Sequence, residues 1–288
     1  ASPMLVQEED ELSENIAQKL VVEALGAFAL CFFSIGSVIL TQGQDIVAIG
    51  LATGLAIGIM VAAAGHISGG HYNPAITAGM LATKRIPVPD GIAYIVAQMV
   101  GGVLGAGAIT LAYLDVDRNR VNLGLPSVGT SIVADPGVNL SATNALAMEF
   151  ILTFFLVLVV FGTAVDKRSI GRWVAPLAIG ITIAIGNMAG VAASGAAMNP
   201  VRWFGPAVIQ QDFANAWVWI VGPVLGGLAA ALLYDLFLMD KSAPVPAPDP
   251  SASTRVRSVT PDEIDVIEAK AAPAATSAAP KRRTRRKR

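Results

Sequence analysis

Long apolar runs separated by short polar breaks make up most of this chain. Six of them are uncharged or nearly uncharged over a length that matters: about 16–40, 46–65, 91–114, 144–165, 173–195 and 213–239. A helix needs about 20 apolar residues to cross the hydrocarbon of a bilayer. The pattern therefore predicts six transmembrane helices. Two of the runs hold one buried-looking acid each, Glu23 in the first and Glu149 in the fourth. Composition agrees, with 54% hydrophobic and 14% charged residues, against roughly 25% charged in a soluble domain. So few charges could not cover the surface of a soluble fold of this size. The first run reads as a span rather than a cleavable signal, because Glu8, Glu9, Asp10, Glu11 and Glu14 precede it where a signal carries positive charge.

The runs repeat. Asn73-Pro74-Ala75 and Asn199-Pro200-Val201 lie 126 residues apart, and so do Glu23 and Glu149, Ser68-Gly69 and Ser194-Gly195, Gly54 and Gly180, and Gly36 and Gly162. A repeat of half a membrane protein builds its substrate path at the interface between halves. Three spans per repeat is an odd number, so the second copy is inverted.

The Asn-Pro pairs carry the chemistry. Proline is favoured at the first position of a helix, and Asn before it is a good N-cap. Only about a dozen residues follow before Lys84-Arg85-Ile86-Pro87 or Gln210-Gln211-Asp212. Such helices are too short to span and should re-enter from opposite faces, meeting near the bilayer centre. The irregular backbone ahead of them is tolerable only where it is buried in protein or lines water. Each helix start is equivalent to roughly +0.5 charge. Two of them facing a narrow lumen repel cations, while Asn amides donate to a permeant oxygen. The expected object is a pore for small neutral polar molecules.

Charge sets the orientation. Lys84 and Arg85, with Lys167, Arg168 and Arg172, fall in loops on the side of the termini, while the opposite loops, with Asp45, Asp115, Asp117, Arg118, Arg120 and Asp135, hold no basic excess. The positive-inside rule puts both termini in the cytoplasm of a plasma or inner membrane. The chain divides into a cytoplasmic segment 1–15, a channel domain 16–240 with repeats at about 16–114 and 144–240, and a tail 241–288. The tail is rich in Ala, Pro and Ser and reads as disordered. Its last eight residues hold seven of the 20 basic residues. They suit anionic head groups or simple solvation better than nucleic acid, and no nucleic-acid partner is expected. The single cysteine, Cys31, allows no intramolecular disulfide and reads as packing. His66 and His71 have no Cys or carboxylate in their loop to complete a ligand set, so no metal is expected.

At these residues the chain resembles the aquaporin, or major intrinsic protein, family. The match spans about 16–240. It rests on Gly65-His66-Ile67-Ser68-Gly69-Gly70-His71-Tyr72-Asn73-Pro74-Ala75, on Met198-Asn199-Pro200-Val201-Arg202-Trp203-Phe204-Gly205-Pro206-Ala207, and on Ala97-Gln98 with Gly101-Gly102 and Gly222-Pro223 with Gly226-Gly227. The resemblance implies an all-α membrane protein of six transmembrane helices plus two re-entrant half-helices, assembled as a homotetramer with a pore in each protomer. It implies no cofactor and no enzymatic activity. It makes Glu23 and Glu149 structural, each accepting hydrogen bonds from a re-entrant loop; a proton relay is the alternative. It places a selectivity filter at Thr53, Asn187, Ala196 and Arg202, and a ladder of acceptor carbonyls at Gly70, His71, Tyr72, Gly195, Ala196, Ala197 and Met198.

The departures bear on the permeant. Water-selective members carry an aromatic at the Thr53 position and a His at the Asn187 position, and glycerol conductors an aromatic pair. This chain has neither, so the constriction should be wider and wetter. Ala207 looks water-type and Ile220 glycerol-type. Trp203 fits neither, with packing the simpler role. Val201 replaces the usual Ala. The expectation is a passive channel for water and small uncharged solutes that excludes protons and ions. The alternatives are an aquaglyceroporin-type channel for glycerol, urea or metalloid acids, or a coupled transporter. A membrane scaffold has no support in these residues.

Overall fold

The computed structural model describes residues 3–129, 140–169 and 173–240, with backbone only for 3–15. The tail expected at 241–288, together with Asp135 and Arg172, lies outside the described residues. Nine α-helices follow in order among the described residues. They are α1 (Pro3–Thr41), α2 (Ile46–Ser68), α3 (Pro74–Ala82), α4 (Val88–Ala112), α5 (Asp115–Arg120), α6 (Ala142–Val160), α7 (Ala175–Ser194), α8 (Pro200–Gln210) and α9 (Ala216–Leu233). Single π-turns extend α6 through Val165 and α9 through Leu238. Six of the helices are long and apolar enough to span a membrane, at Ile16–Thr41, Ile46–Ser68, Val88–Ala112, Ala142–Val165, Ala175–Ser194 and Ala216–Leu238.

Helix ends follow local chemistry. Asp45 caps α2 by accepting from Ala48 N at 2.9 Å. Ser141 and Asn144 form a reciprocal capping box at α6. Pro89 lets α4 start at Val88, earlier than the apolar run suggests. The first helix also begins early, at Pro3, so residues 3–15 continue the helix of the first span. Its Leu, Gln and Glu residues are good helix formers.

Packing repeats with the sequence. Helix α1 lies against α4 and α6 against α9, while α2 meets α7 at the centre. Each half-helix packs on the last span of the other repeat, α3 on α9 and α8 on α4. The central contact is reciprocal. A Cβ on Gly180 would stand 2.8 Å from Gly54 O, and one on Gly54 would strike Gly180 O. Only glycine admits that approach, and it marks where the pseudo-two-fold axis crosses α2 and α7. Outward faces remain apolar, with Leu111 90% and Leu40 76% exposed, which fits hydrocarbon around the bundle rather than water.

Two basic residues fasten one end of the bundle. Arg85 Nη2 reaches Asp235 Oδ1 at 2.7 Å and its guanidinium lies over Phe161, 5.6 Å from the ring centre. Arg168 bonds both oxygens of Asp166 and the Leu238 carbonyl, and Tyr234 Oη donates to Asp166 Oδ2 at 3.1 Å. The Arg168 hydrogen bonds hold the Asp166 carboxyl down at about 2. Lys84-Arg85, the 166–169 turn and the end of α9 therefore share one end.

Candidate pore and constriction

Asn73 and Asn199 have matching extended backbones, φ −155 and −159. Each Oδ1 caps its own half-helix, accepting from Ala75 N and Val201 N at 2.9 Å. Each Nδ2 crosses to the other loop: Asn73 donates to Met198 O at 2.8 Å and Asn199 to Tyr72 O at 2.9 Å. The half-helix starts thus meet, tied by a reciprocal pair of bonds. An amide has two N–H groups, so one on each Asn has no protein partner among the described residues.

Each re-entrant loop hangs on one buried acid. Glu23 Oε1 accepts from Ser68 Oγ at 2.6 Å and His71 N at 2.9 Å; Oε2 accepts from Tyr72 N at 2.6 Å and Gln98 Nε2 at 2.7 Å. Glu149 Oε1 accepts from Ser194 Oγ at 2.7 Å and Ala197 N at 2.8 Å, and Oε2 from Met198 N at 2.7 Å. An intramembrane carboxylate needs such partners. Ring donors close both loops, Tyr94 Oη onto Ser68 O at 2.8 Å and Trp219 Nε1 onto Ser194 O at 2.9 Å. The halves diverge beside the acid. Gln98 Nε2 also bonds Thr77 Oγ1, which meets His71 Nδ1 at 3.1 Å. Trp203 holds the position related to Thr77 and stacks on Trp219, with ring centres 5.8 Å apart. It is buried among Ala145, Ala197 and Val218, which is a packing role. His66 is exposed.

A cavity of about 480 Å³ runs from Lys19, Arg85 and Asp90 to Asn73 and Asn199. His71, Tyr72, Ala197 and Met198 border it, with Ile57, Val61, Ile179 and Ile183. No protein donor among the described residues reaches the carbonyls of Gly70, His71, Gly195, Ala196 or Ala197. Tyr72 and Met198 differ from the other carbonyls expected in the ladder, because each already accepts an Asn amide. Backbone strain turns these loops: Ala196 has φ 45 where the related Gly70 has φ 63. A non-glycine residue there costs about 1–3 kcal/mol.

Thr53, Asn187, Ala196 and Arg202 do not border that cavity. They are buried, between 2% and 5% exposed. Thr53 and Asn187 stand one helical turn beyond Ile57 and Ile183, on the side away from Arg85. The repeat relates Thr53 to Ile179, Asn187 to Val61, Ala196 to Gly70 and Arg202 to Ile76, and all four counterparts line the cavity. Equivalent wall positions are therefore mostly apolar toward the basic end and polar beyond the asparagines. Hydrogen bonds hold three of these four side chains in place. Asn187 Nδ2 returns to Ile183 O at 3.0 Å. Thr53 Oγ1 bonds Ile49 O at 2.8 Å and Ser34 Oγ at 3.0 Å. Arg202 bonds Ser34 Oγ through Nε at 2.7 Å and Gly124 O through Nη1 at 2.9 Å. Ser34 and Gly124 were not among the residues the sequence singled out.

A sequence model of a family described as major intrinsic protein matches residues 11–234. The chain belongs to the major intrinsic protein family. It is 34% identical over 236 residues to Nodulin-26 of Glycine max, covering 80% of this chain and 82% of that one. It is 39% identical over 229 residues to Aquaporin-4 of Bos taurus, covering 77% and 68%, and 37% identical over 223 residues to Aquaporin NIP1-1 of Oryza sativa subsp. japonica, covering 76% and 74%. Among solved structures, the aquaglyceroporin from Plasmodium falciparum superposes with a TM-score of 0.69 at 21% identity, over 77% of this chain and 97% of that one. That likeness concerns the fold. The resemblance, the six-span inverted fold and membership in a family of membrane channels all stand as the sequence suggested.

Proposed function

We propose that this major intrinsic protein passes water and small uncharged solutes down their gradients through a pore in each protomer, and excludes protons and ions. The observation that carries the reading is the crossed pair of amide bonds, Asn73 to Met198 O and Asn199 to Tyr72 O, at the inner end of the cavity. Two helix starts and one unused N–H on each Asn face the same point. A passing water donates to the loop carbonyls on either side and accepts from the asparagines between them, so a continuous proton wire cannot keep one direction. The helix ends disfavour a cation at that point, and Arg202 adds fixed positive charge beyond it.

The filter is formed by Thr53, Asn187, Ala196 and Arg202, and the acceptor ladder by the carbonyls of Gly70, His71, Gly195, Ala196 and Ala197, with Tyr72 and Met198 sharing theirs with the asparagines. Glu23 and Glu149 hold the loops in shape. The protein works in a plasma or inner membrane with both termini in the cytoplasm. Basic residues at the end that includes Arg85, Lys167 and Arg168 support that orientation. A homotetramer is the assembly its family suggests. Relatives are channels rather than enzymes, and the chain is read the same way.

Thr53 and Asn187 leave room for more than water. Replacing both, Thr53→Phe with Asn187→His, should cut glycerol flux into proteoliposomes more than water flux. Equal loss of both fluxes would refute the role given to these positions. Glycerol flux that dominates in the unmodified protein would favour the aquaglyceroporin-type reading, and uphill uptake driven by a pH gradient would favour a coupled transporter.

A further inference from the structure

The repeat assigns a place to a residue that the family motif leaves out. Ser34 on α1 is related to Val160 on α6, and Val160 lines the cavity beside Leu156. Ser34 therefore stands at a wall position of the other half of the path, level with the filter. It is fully buried, and its hydroxyl sits between two filter residues. Arg202 Nε can only donate, so Ser34 Oγ accepts from it. Thr53 Oγ1 spends its proton on Ile49 O, so Ser34 donates to Thr53. The hydrogens run one way, from Arg202 to Ser34 to Thr53 to Ile49 O.

A second anchor meets the same guanidinium. Asn122, Leu123 and Gly124 are successive left-handed residues, with φ 45, 51 and 60. Such a run is costly and persists only where the surroundings enforce it. Leu123 is buried with Ile35, Ile39 and Cys31, and Gln210 Nε2 bonds Asn122 Oδ1 at 2.9 Å. The turn delivers Gly124 O to Arg202 Nη1. Of five guanidinium N–H groups, two are thus fixed to the wall and three have no protein partner among the described residues.

We propose that Ser34 is a positioning residue for permeation: with Gly124 O it clamps Arg202 to the wall, keeping the aperture clear and aiming the remaining N–H groups at the permeant. This rests on the channel reading above. The alternative, that Ser34 merely fills space between α1 and α2, is tested by whether its effect depends on Arg202. Loss of a hydrogen bond to a charged group shifts the balance of held and free Arg202 by about tenfold.

The experiment compares the full-length protein, Ser34→Ala, Ser34→Thr, Arg202→Ala and the Ser34→Ala/Arg202→Ala double variant in proteoliposomes, normalised to folded protein. Ser34→Ala should lower water permeability several-fold, because the freed guanidinium samples the lumen, and should lower glycerol permeability by more wherever glycerol passes. Ser34→Thr, which keeps the hydroxyl, should recover most of the loss. On the Arg202→Ala background, Ser34→Ala should change nothing further. Unchanged permeability in Ser34→Ala, or the same loss with Arg202 absent, would overturn the proposal. Should Ser34→Ala fail to fold, Arg202→Lys supplies the test: lacking Nε–H, it should fold in wild-type-like yield with water permeability lowered several-fold, and normal permeability would refute the clamp. A wild-type protein no faster than empty vesicles would instead defeat the channel reading itself.

Discussion

Glu149 offers a graded test of how the second re-entrant loop is held. Its carboxylate receives Ser194 Oγ, Ala197 N and Met198 N. In Glu149→Ala all three donors lose their acceptor. The Ser194 hydroxyl can rotate elsewhere, but the two backbone N–H groups cannot. A stranded buried donor costs about 1–3 kcal/mol, so the alanine variant should lose about 2–6 kcal/mol before any cavity cost. That is a large part of the 5–15 kcal/mol typical of a folded domain. Glu149→Gln can keep its carbonyl oxygen on Ser194 and Ala197, but its NH2 then faces Met198 N, donor against donor. Its loss should be about 1–3 kcal/mol for the one stranded backbone donor, less than in the alanine variant, which strands two and also leaves a cavity. Thermal unfolding in detergent, read by the fraction surviving as a folded species on size exclusion, should rank wild type above Gln above Ala. Water permeability per folded copy of the Gln variant should match wild type, since the acid braces the loop from behind. An alanine variant as stable as wild type would refute the bracing role, and a Gln variant that is stable yet loses pH-dependent transport would revive the proton relay.

Three further outcomes are expected. Asn199→Asp removes the donor to Tyr72 O and puts an anion between the helix starts; potassium leak should rise and water flux fall, measured on one proteoliposome batch. Trp203→Ala should cost about 3–5 kcal/mol by emptying the stack on Trp219, visible as a lower unfolding midpoint with permeability per folded copy preserved; lost permeability at unchanged stability would move Trp203 to the pore. The Asp166 carboxyl is depressed from 3.8 to about 2 by Arg168. Its stabilisation of the 166–169 turn is therefore present above the unfolded value and lost as pH falls toward 2. Arg168→Ala should move that loss upward in pH, and hydrogen exchange at the turn that is insensitive to the variant would contradict the clasp.

The sequence carried the spans because burying apolar length leaves a one-dimensional signal. It carried the Asn caps because capping is local, with Asn73 and Ala75, or Asn199 and Val201, two residues apart. The repeat added the inversion. Contacts between distant segments were less legible. Ser34 looks like any small residue in an apolar run, and only the fold brings it to Arg202, 168 positions on. The Val121–Leu125 turn lacks a motif, and only the fold brings Gly124 O to Arg202. Tyr94 and Trp219, 125 residues apart where the two asparagines are 126 apart, could have been found by pairing the halves with that shift of one, since they take matching roles on Ser68 O and Ser194 O. The small side chains at Thr53 and Asn187 suggested an open aperture. How those side chains are held was not legible: Asn187 turns back onto Ile183 O of its own helix, while Thr53 bonds both Ile49 O and Ser34 Oγ on α1.

The most direct test of the channel account is light scattering of proteoliposomes after rapid mixing, once with an impermeant osmolyte and once with glycerol. Fast shrinkage well above empty vesicles, followed by reswelling in glycerol and no collapse of an imposed proton gradient, is the expected result. Shrinkage no faster than the bare bilayer, or water flux accompanied by a proton leak, would contradict it.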